Sequence, residues 1–133
     1  NFISAGLEED LAQEIETLAV GSIKIGKDLR LLSSGPKFGF NEIELPKIVE
    51  GSSFFSNKNN PTVVETWLQG CFSTLGYVRS MQAALEHAEL ELNVFEPKAA
   101  FELALGIKIL AHGFLILNKN CLLQMKAKEK KKE

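Results

Sequence analysis

The fold is decided by residues 7–32, which read LEEDLAQEIETLAVGSIKIGKDLRLL. Apolar side chains recur there in alternating steps of four and three residues, with Ser22 filling one position. Such spacing places side chains along one face of a long helix, as in coiled coils. The stretch therefore predicts a helix whose apolar stripe consists of Leu7, Leu11, Ile15, Leu18, Ile25, Leu29 and Leu32.

Stop and start signals bound this helix and predict two more. Gly35 and Pro36 should end the first helix, because glycine can adopt the left-handed C-terminal cap and proline cannot continue a helix. Pro61 lies at or near the start of a second helix, whose stripe is Val64, Trp67 or Leu68, Cys71, Leu75, Val78, Gln82 and Leu85. After an interruption at 90–97, Pro97 can start a third helix, whose stripe is Leu103, Ile107, Leu110, Phe114, Leu117 and Cys121.

Three long helices joined by one large connection cannot bury all of their apolar faces against one another, so we expect the chain to require partners. We expect an all-α fold of long antiparallel helices in a coiled-coil-like bundle, with one long functional loop, as part of a larger oligomeric helical bundle. Residues 1–125 are assigned to the central helical-bundle domain with the start of the C-terminal region. Residues 126–133 are expected to be a solvated charged tail, because lysine and glutamate cannot build a core.

Composition and charge exclude several classes of function. The 133 residues are 45% hydrophobic and 24% charged, which is typical of a globular chain. A formal net charge of -2 provides no positive field to attract nucleic acid. The most apolar stretch, Ile107 to Leu117, is much shorter than the roughly 18 residues of a spanning helix, so we expect no membrane segment.

The cysteines and the first residue give expectations about location. Cys71 and Cys121 have neither disulfide-framework nor zinc-site spacing, and no secretory signal opens the chain. We therefore expect reduced thiols and a cytoplasmic location. The chain starts at Asn1 rather than at methionine, so we expect a fragment that lacks N-terminal segments or is completed by a second chain.

The residues with the most chemical potential read GSSFFSNKNNP and occupy positions 51–61. Backbone N–H groups at a helix start, together with the ammonium of Lys58, suit a carboxylate. A serine beside them could act on a proton. A polar loop that caps the second helix through Asn59 or Asn60 explains the same residues, and the loop taken alone favours this simpler interpretation.

Two flanking motifs change that balance. KDLRLLSSGP at 27–36 precedes the loop, and ELNVFEP at 91–97 follows it. In this order the three motifs resemble the aspartase/fumarase superfamily, whose signature loop has the form GSSxMPxKxNP. Residues 27–36, 41–43 and 120–122 are similar to the aspartate ammonia-lyase branch in particular. The loop matches the signature in register at Gly51, Ser52, Ser53, Lys58, Asn60 and Pro61.

The resemblance implies a homotetramer whose active sites use residues from three subunits. The implied reaction is the reversible elimination of ammonia from L-aspartate to give fumarate through an aci-carboxylate, with neither cofactor nor metal. Ser52 would be the general base, and Glu65 would support a histidine contributed by another part of the polypeptide. Substrate contacts are implied for Ser53, Lys58, Asn59 and Asn60.

One departure leaves the substrate open. Phe55 and Ser56 stand where the family has Met-Pro, which removes a fixed φ angle and enlarges one side chain. Fumarate hydratase or another dicarboxylate lyase of the superfamily is therefore an alternative, and a non-catalytic helical association module is a third. Because the segments that supply other substrate ligands are absent, we expect the isolated fragment to be inactive.

Overall fold

The computed structural model describes residues 2–48 and 60–129 and is mainly helical. Helix α1 spans Phe2–Leu32, helix α2 spans Thr62–Glu86 and helix α3 spans Glu96–Asn120. All three predicted helices are confirmed, and α1 begins before the predicted stripe. Pro61 is the N-cap of α2, and a proline also occupies the first turn of α3, where its missing N–H costs no helical hydrogen bond.

Helix α2 packs against both other helices, and α1 and α3 also contact each other. A β-carbon added at Gly26 of α1 would lie 2.6 Å from Leu68 Cδ2, so the backbones of α1 and α2 approach closely. Further along α1, Arg30 pairs with Glu65 at the start of α2. Residues later in α1 thus contact residues earlier in α2, so the two helices are antiparallel.

Helix α3 is also antiparallel to α2 and has the larger contact with it. Thr74 Oγ1 donates to the carbonyl oxygen of Gly70 at 3.0 Å and lies 3.5 Å from that of Gly106. Nearer the start of α2 and the end of α3, the tilted rings of Trp67 and Phe114 are in contact, with their centroids 5.5 Å apart. Antiparallel packing with short connections is the arrangement expected for consecutive helices of a bundle.

The buried face of α1 is offset from the predicted stripe. The buried residues recur in steps of three and four, and most of them are small. They are Ala12, Ile15, Ala19, Ser22, Gly26 and Leu29. Four members of the predicted stripe, Leu7, Leu11, Leu18 and Ile25, are instead 44–66% exposed. The prediction was therefore wrong for these four positions and correct for Ile15, Ser22 and Leu29, which are buried. Alanine and glycine let the helices approach closely, and the larger side chains form a second, uncovered apolar stripe beside the contact.

Helices α2 and α3 supply most of the remaining core. Both cysteines are buried and free, as expected of small apolar side chains. Glu102 is buried on α3 and pairs with Lys98 one turn earlier. The buried apolar residues of the two helices are Val64, Trp67, Leu68, Cys71, Val78, Met81, Ala99, Leu110 and Leu117, and Cys121 follows them.

Helix α3 qualifies the expectation about membranes. In the part of the chain that the structure describes, the stretch Glu96–Gln124 is long and apolar enough to cross a membrane, with a mean hydropathy of 1.8. Only 22% of its most apolar part is buried. A helix that is apolar on several faces also suits the interior of a large bundle, and α3 already packs one face against α2.

The connection between α2 and α3 is closed by Asn93. Its amide Nδ2 donates to the carbonyl oxygen of Ala84 at 3.1 Å, and its Oδ1 accepts from the N–H of Phe95 at 2.9 Å. An asparagine that bonds nearby backbone groups stabilises a turn. The ELNVFEP motif therefore joins two antiparallel helices.

A two-stranded antiparallel sheet ties the tail to the long connection. Strand β1 spans Ile43–Glu44, strand β2 spans Lys126–Ala127, and Ile43 is the partner of Ala127. The N–H of Lys128 donates to the carbonyl oxygen of Glu42 at 2.8 Å. Lys126 and Ala127 are exposed to solvent, but their backbone is paired, which the prediction of a solvated tail did not include.

Candidate active site

The site begins at the C-terminal end of α1, where a tight turn reverses the chain. The N–H of Ser33 donates to Leu29 O and the N–H of Ser34 donates to Leu31 O, both at 3.1 Å, which satisfies carbonyls at the helix end. Gly35 has a φ of +130°, a conformation that favours glycine. The predicted role of Gly35 as a positive-φ stop is confirmed.

The chain then folds back over this helix end. The N–H of Asn41 donates to Ser34 O at 2.7 Å, and the N–H of Glu42 donates to Leu32 O at 2.9 Å. A β-carbon added at Gly39 would lie 2.4 Å from Ser34 O, so only glycine fits this approach. The side chain of Asn41 also accepts a hydrogen bond from Lys128 Nζ at 2.5 Å. The turn is therefore fixed by backbone contacts and by the tail.

The start of α2 meets this turn at the same end of the bundle. The N–H of Thr62 donates to Asn60 O at 2.8 Å, and the N–H of Glu65 donates to Pro61 O at 3.0 Å. Glu65 lies in the first turn of α2, where the partial positive charge of the helix N-terminus favours a carboxylate. Arg30 lies in the last turn of α1, where a cation is favoured for the same reason.

These two helix ends enclose a half-open cavity of about 400 Å³, which we call the end cavity. Arg30 Nη2 lies 3.4 Å from Glu65 Oε1 across it. Among the described residues, two cationic side chains and one carboxylate line the cavity, so its charge suits an anionic ligand. Its lining residues are Lys27, Arg30, Leu31, Ser33, Ser34, Gly35, Asn60, Pro61 and Glu65.

The structure brings together two of the predicted site residues. Asn60 and Glu65 both line the end cavity; Asn60 belongs to the signature loop, and Glu65 lies one helical turn after it. Ser52, Ser53, Lys58 and Asn59 lie outside the described residues, as do Phe55 and Ser56. Their predicted roles stay predictions.

Lys27 and Arg30 line the end cavity but were not predicted as site residues. Both belong to the KDLRLLSSGP motif, which carried the resemblance to the family, but no role was predicted for its two cations. The available signal was their position in the last two turns before a stop that leads into the signature loop. Cations near a helix C-terminus are common for reasons of helix stability alone, so the position by itself did not single them out.

A second concave surface, the α2/α3 groove, runs between those two helices and holds about 600 Å³. Its walls are mainly apolar and include Trp67, Cys71, Ile109 and Gly113. Trp67 Nε1 is buried without a hydrogen-bond partner among the described residues. The exposed His112 also lines the groove.

The thiols and histidines of the described residues do not form a second chemical site. Burial raises the pKa of the Cys71 and Cys121 thiols, which leaves less of the nucleophilic thiolate at neutral pH. Within residues 2–48 and 60–129, no three His, Cys, Asp or Glu side chains are grouped so that they could hold a metal ion. The charged end cavity is therefore the stronger candidate for chemistry.

Comparison with known proteins identifies the family. The sequence profile of a family described as Lyase matches residues 10–76, a range that contains all of the end cavity. The chain belongs to this lyase family. The expected membership of the aspartase/fumarase superfamily is confirmed by its relatives, which include both kinds of enzyme.

Two relatives illustrate the breadth of this lyase family. The aspartate ammonia-lyase of Helicobacter pylori is 40% identical over 127 residues, which are 96% of this chain and 27% of that protein. A class II fumarate hydratase of Pseudomonas aeruginosa is 39% identical over 111 residues, 84% of this chain and 24% of that protein. The chain thus spans about a quarter of the length of these lyases.

A solved structure confirms the fold class. The fumarate lyase:delta crystallin of Brucella melitensis superposes with a TM-score of 0.86 at 34% sequence identity, covering 92% of this chain and 26% of that one. The three helices of this lyase segment therefore have the arrangement of a helical-bundle lyase.

Proposed function

We propose that this chain is the segment of an aspartate ammonia-lyase that carries the catalytic loop. The assembled enzyme, meaning the lyase polypeptide or set of polypeptides that contains this chain, would interconvert L-aspartate with fumarate and ammonia. One observation carries the proposal: Asn60, at the end of the signature loop, and Glu65, one helical turn later, line the same charged cavity. Aspartate ammonia-lyases among the relatives support the choice of substrate.

The proposed reaction is an elimination in two steps. Ser52, as the base, removes a proton from the carbon next to a substrate carboxylate, and the electron pair moves into that carboxylate to give the aci-carboxylate. The pair then returns to form the carbon–carbon double bond, and the C–N bond breaks with its electrons leaving on ammonia. The barrier is set by the extra negative charge on the carboxylate, which fixed donors must meet as it forms.

The charges of this end of the bundle suit that requirement. Lys58 and the amide of Asn60 are the proposed carboxylate ligands, and Lys27 and Arg30 add positive charge to the wall of the end cavity. Of the residues that the structure describes, Glu65 is the only anionic side chain in that wall, and its proposed partner is a histidine from elsewhere in the enzyme. The site would be completed by the missing lyase segments and by other subunits of a homotetramer.

The direct test measures fumarate formation from L-aspartate, and the reverse reaction with ammonia, in the assembled enzyme. We expect Ser52→Ala to lower turnover by about 10²–10⁴-fold, the usual contribution of a positioned general base. Ser73→Ala is the matched control, because Ser73 is an exposed serine of α2 whose hydroxyl bonds Gln69 O. Normal turnover of Ser52→Ala would contradict the proposal, and a lack of activity on any dicarboxylate would favour a non-catalytic association module.

Hydration of fumarate is the second candidate reaction, because a fumarate hydratase is almost as similar to this chain as the aspartate ammonia-lyases are. The two reactions share the proton removal and differ in the leaving group. Fumarate offered without ammonia would yield malate from a hydratase and no product from an aspartate ammonia-lyase. Malate formation faster than aspartate formation would assign the chain to the second reaction.

A further inference from the structure

Arg30 makes an ion pair with Glu65 that joins the two helix ends of the proposed site. Its Nη2 lies 3.4 Å from Glu65 Oε1, and both side chains line the end cavity. We infer that Arg30 is a positioning residue for the lyase reaction, which holds the Glu65 carboxylate in the orientation that its proposed histidine partner requires. The inference rests on the proposed function, because that function gives Glu65 its role.

Stability alone does not account for this pair. The side chain of Arg30 is 49% exposed and that of Glu65 is 33% exposed, and ion pairs in such surroundings add little to the free energy of folding. Each residue is also already favoured by the charge of its own helix end. The pair instead orients the Glu65 carboxylate, because the contact with Arg30 holds this side chain of α2 toward α1.

The carboxylate keeps the capacity for a second partner. An ionised carboxylate has two oxygens and accepts several hydrogen bonds, so a contact from Arg30 to Oε1 is compatible with another donor at the same group. A planar guanidinium restricts the orientations of its partner more than an ammonium does. The pair therefore limits the rotation of Glu65 while its carboxylate can still accept from a histidine.

Arg30 is itself held by the turn that ends α1. Ser33 Oγ donates to the carbonyl oxygen of Arg30 at 3.2 Å, and the next turn is fixed by backbone hydrogen bonds from Asn41 and Glu42. A positioning residue must be anchored in this way, because a side chain on a mobile segment could not orient another.

The experiment compares Arg30→Met and Arg30→Lys with the unchanged assembled enzyme. We expect Arg30→Met to lower kcat about tenfold or more, the size typical when a group that orients a functional side chain is lost. KM and the melting temperature should stay within experimental error. Arg30→Lys keeps the charge without the planar fork, so its kcat should fall less, and it supplies the test if Arg30→Met does not fold.

A double variant separates positioning from simple packing. If Arg30 acts through Glu65, adding Arg30→Met to Glu65→Gln should lower kcat no further than Glu65→Gln alone. The matched control is Arg79→Met, which breaks another exposed Arg–Glu pair, that with Glu86 at 3.3 Å, and should leave kcat unchanged. An unchanged kcat in both Arg30 variants, or fully additive losses in the double variant, would overturn the inference. An inactive unmutated enzyme would instead reject the proposed function.

Discussion

The end cavity and the α2/α3 groove are both concave, but they are lined by different chemistry. The groove is the larger, about 600 Å³ against about 400 Å³, and its walls are mainly apolar. The end cavity is bordered by helix ends, two cations, a carboxylate and an amide. Helix ends concentrate unpaired backbone groups and partial charges, whereas helix sides offer packing surface. The difference teaches that the charged side chains of the candidate site gather at one end of the bundle, whereas the sides of the helices are suited to packing.

The strongest test of this division is Trp67→Ala. Trp67 is 5% exposed and lies between α1 and α3, so its removal should lower the free energy of unfolding by about 3–5 kcal/mol. Urea unfolding followed by circular dichroism measures the loss. Phe72→Ala is the control, since Phe72 on the same helix is 53% exposed and should cost far less. Equal losses in the two variants would show that the side of α2 is not a packing core.

A glycine pair on α1 tests the close approach of the helices. A β-carbon at Gly26 would meet Leu68 and Trp67, whereas one at Gly21 would meet nothing within 4 Å. Gly26→Ala should therefore lower the unfolding free energy by about 1–2 kcal/mol through overpacking. Gly21→Ala should raise it by about 0.5–1 kcal/mol through helix propensity. The two changes should have opposite signs in the same denaturation assay, and equal signs would refute the proposed contact.

The smallest effect is expected from a single lysine of the end cavity. Lys27→Ala should raise the KM for a dicarboxylate by about 2–5-fold, because one partly solvated charge contributes about 0.3–1 kcal/mol. Added salt should reduce the difference from the unchanged enzyme. Lys24→Ala is the matched control, because Lys24 lies one turn earlier, pairs with Asp28 and does not line the cavity. A similar rise in KM for Lys24→Ala would mean that only the net charge of the chain matters.

The helices and their limits could be predicted from the sequence because their signals are local. Gly35, Pro61 and Pro97 stop or start helices through backbone conformation alone, and each does so in the structure. The buried face of α1 could not be read in the same way. Periodicity finds large apolar side chains, but half of the buried positions of α1 are the small residues Ala12, Ala19 and Gly26. Which of two adjacent stripes is covered depends on how closely the partner helix can approach.

Only those residues of the candidate site that belong to or follow a recognisable sequence motif could be predicted from the sequence. Asn60 and Glu65 line the same cavity because both lie close to the start of α2, and their functional roles stay predictions. The Arg30–Glu65 pair joins residues 35 positions apart and depends on how α1 and α2 are aligned. No periodicity within either helix contains that information. Long-range pairs of this kind require the packed structure.

The small sheet between β1 and β2 has a consequence for how the chain can be cut. Ala127 pairs with Ile43, and Lys128 bonds both Glu42 and Asn41, so these tail residues hold the segment that leads toward the signature loop. Proteolysis before Lys126 would remove no residue of the proposed site, yet it would release that segment from these contacts. Cleavage of the tail would therefore loosen the surroundings of the proposed site without removing any part of it.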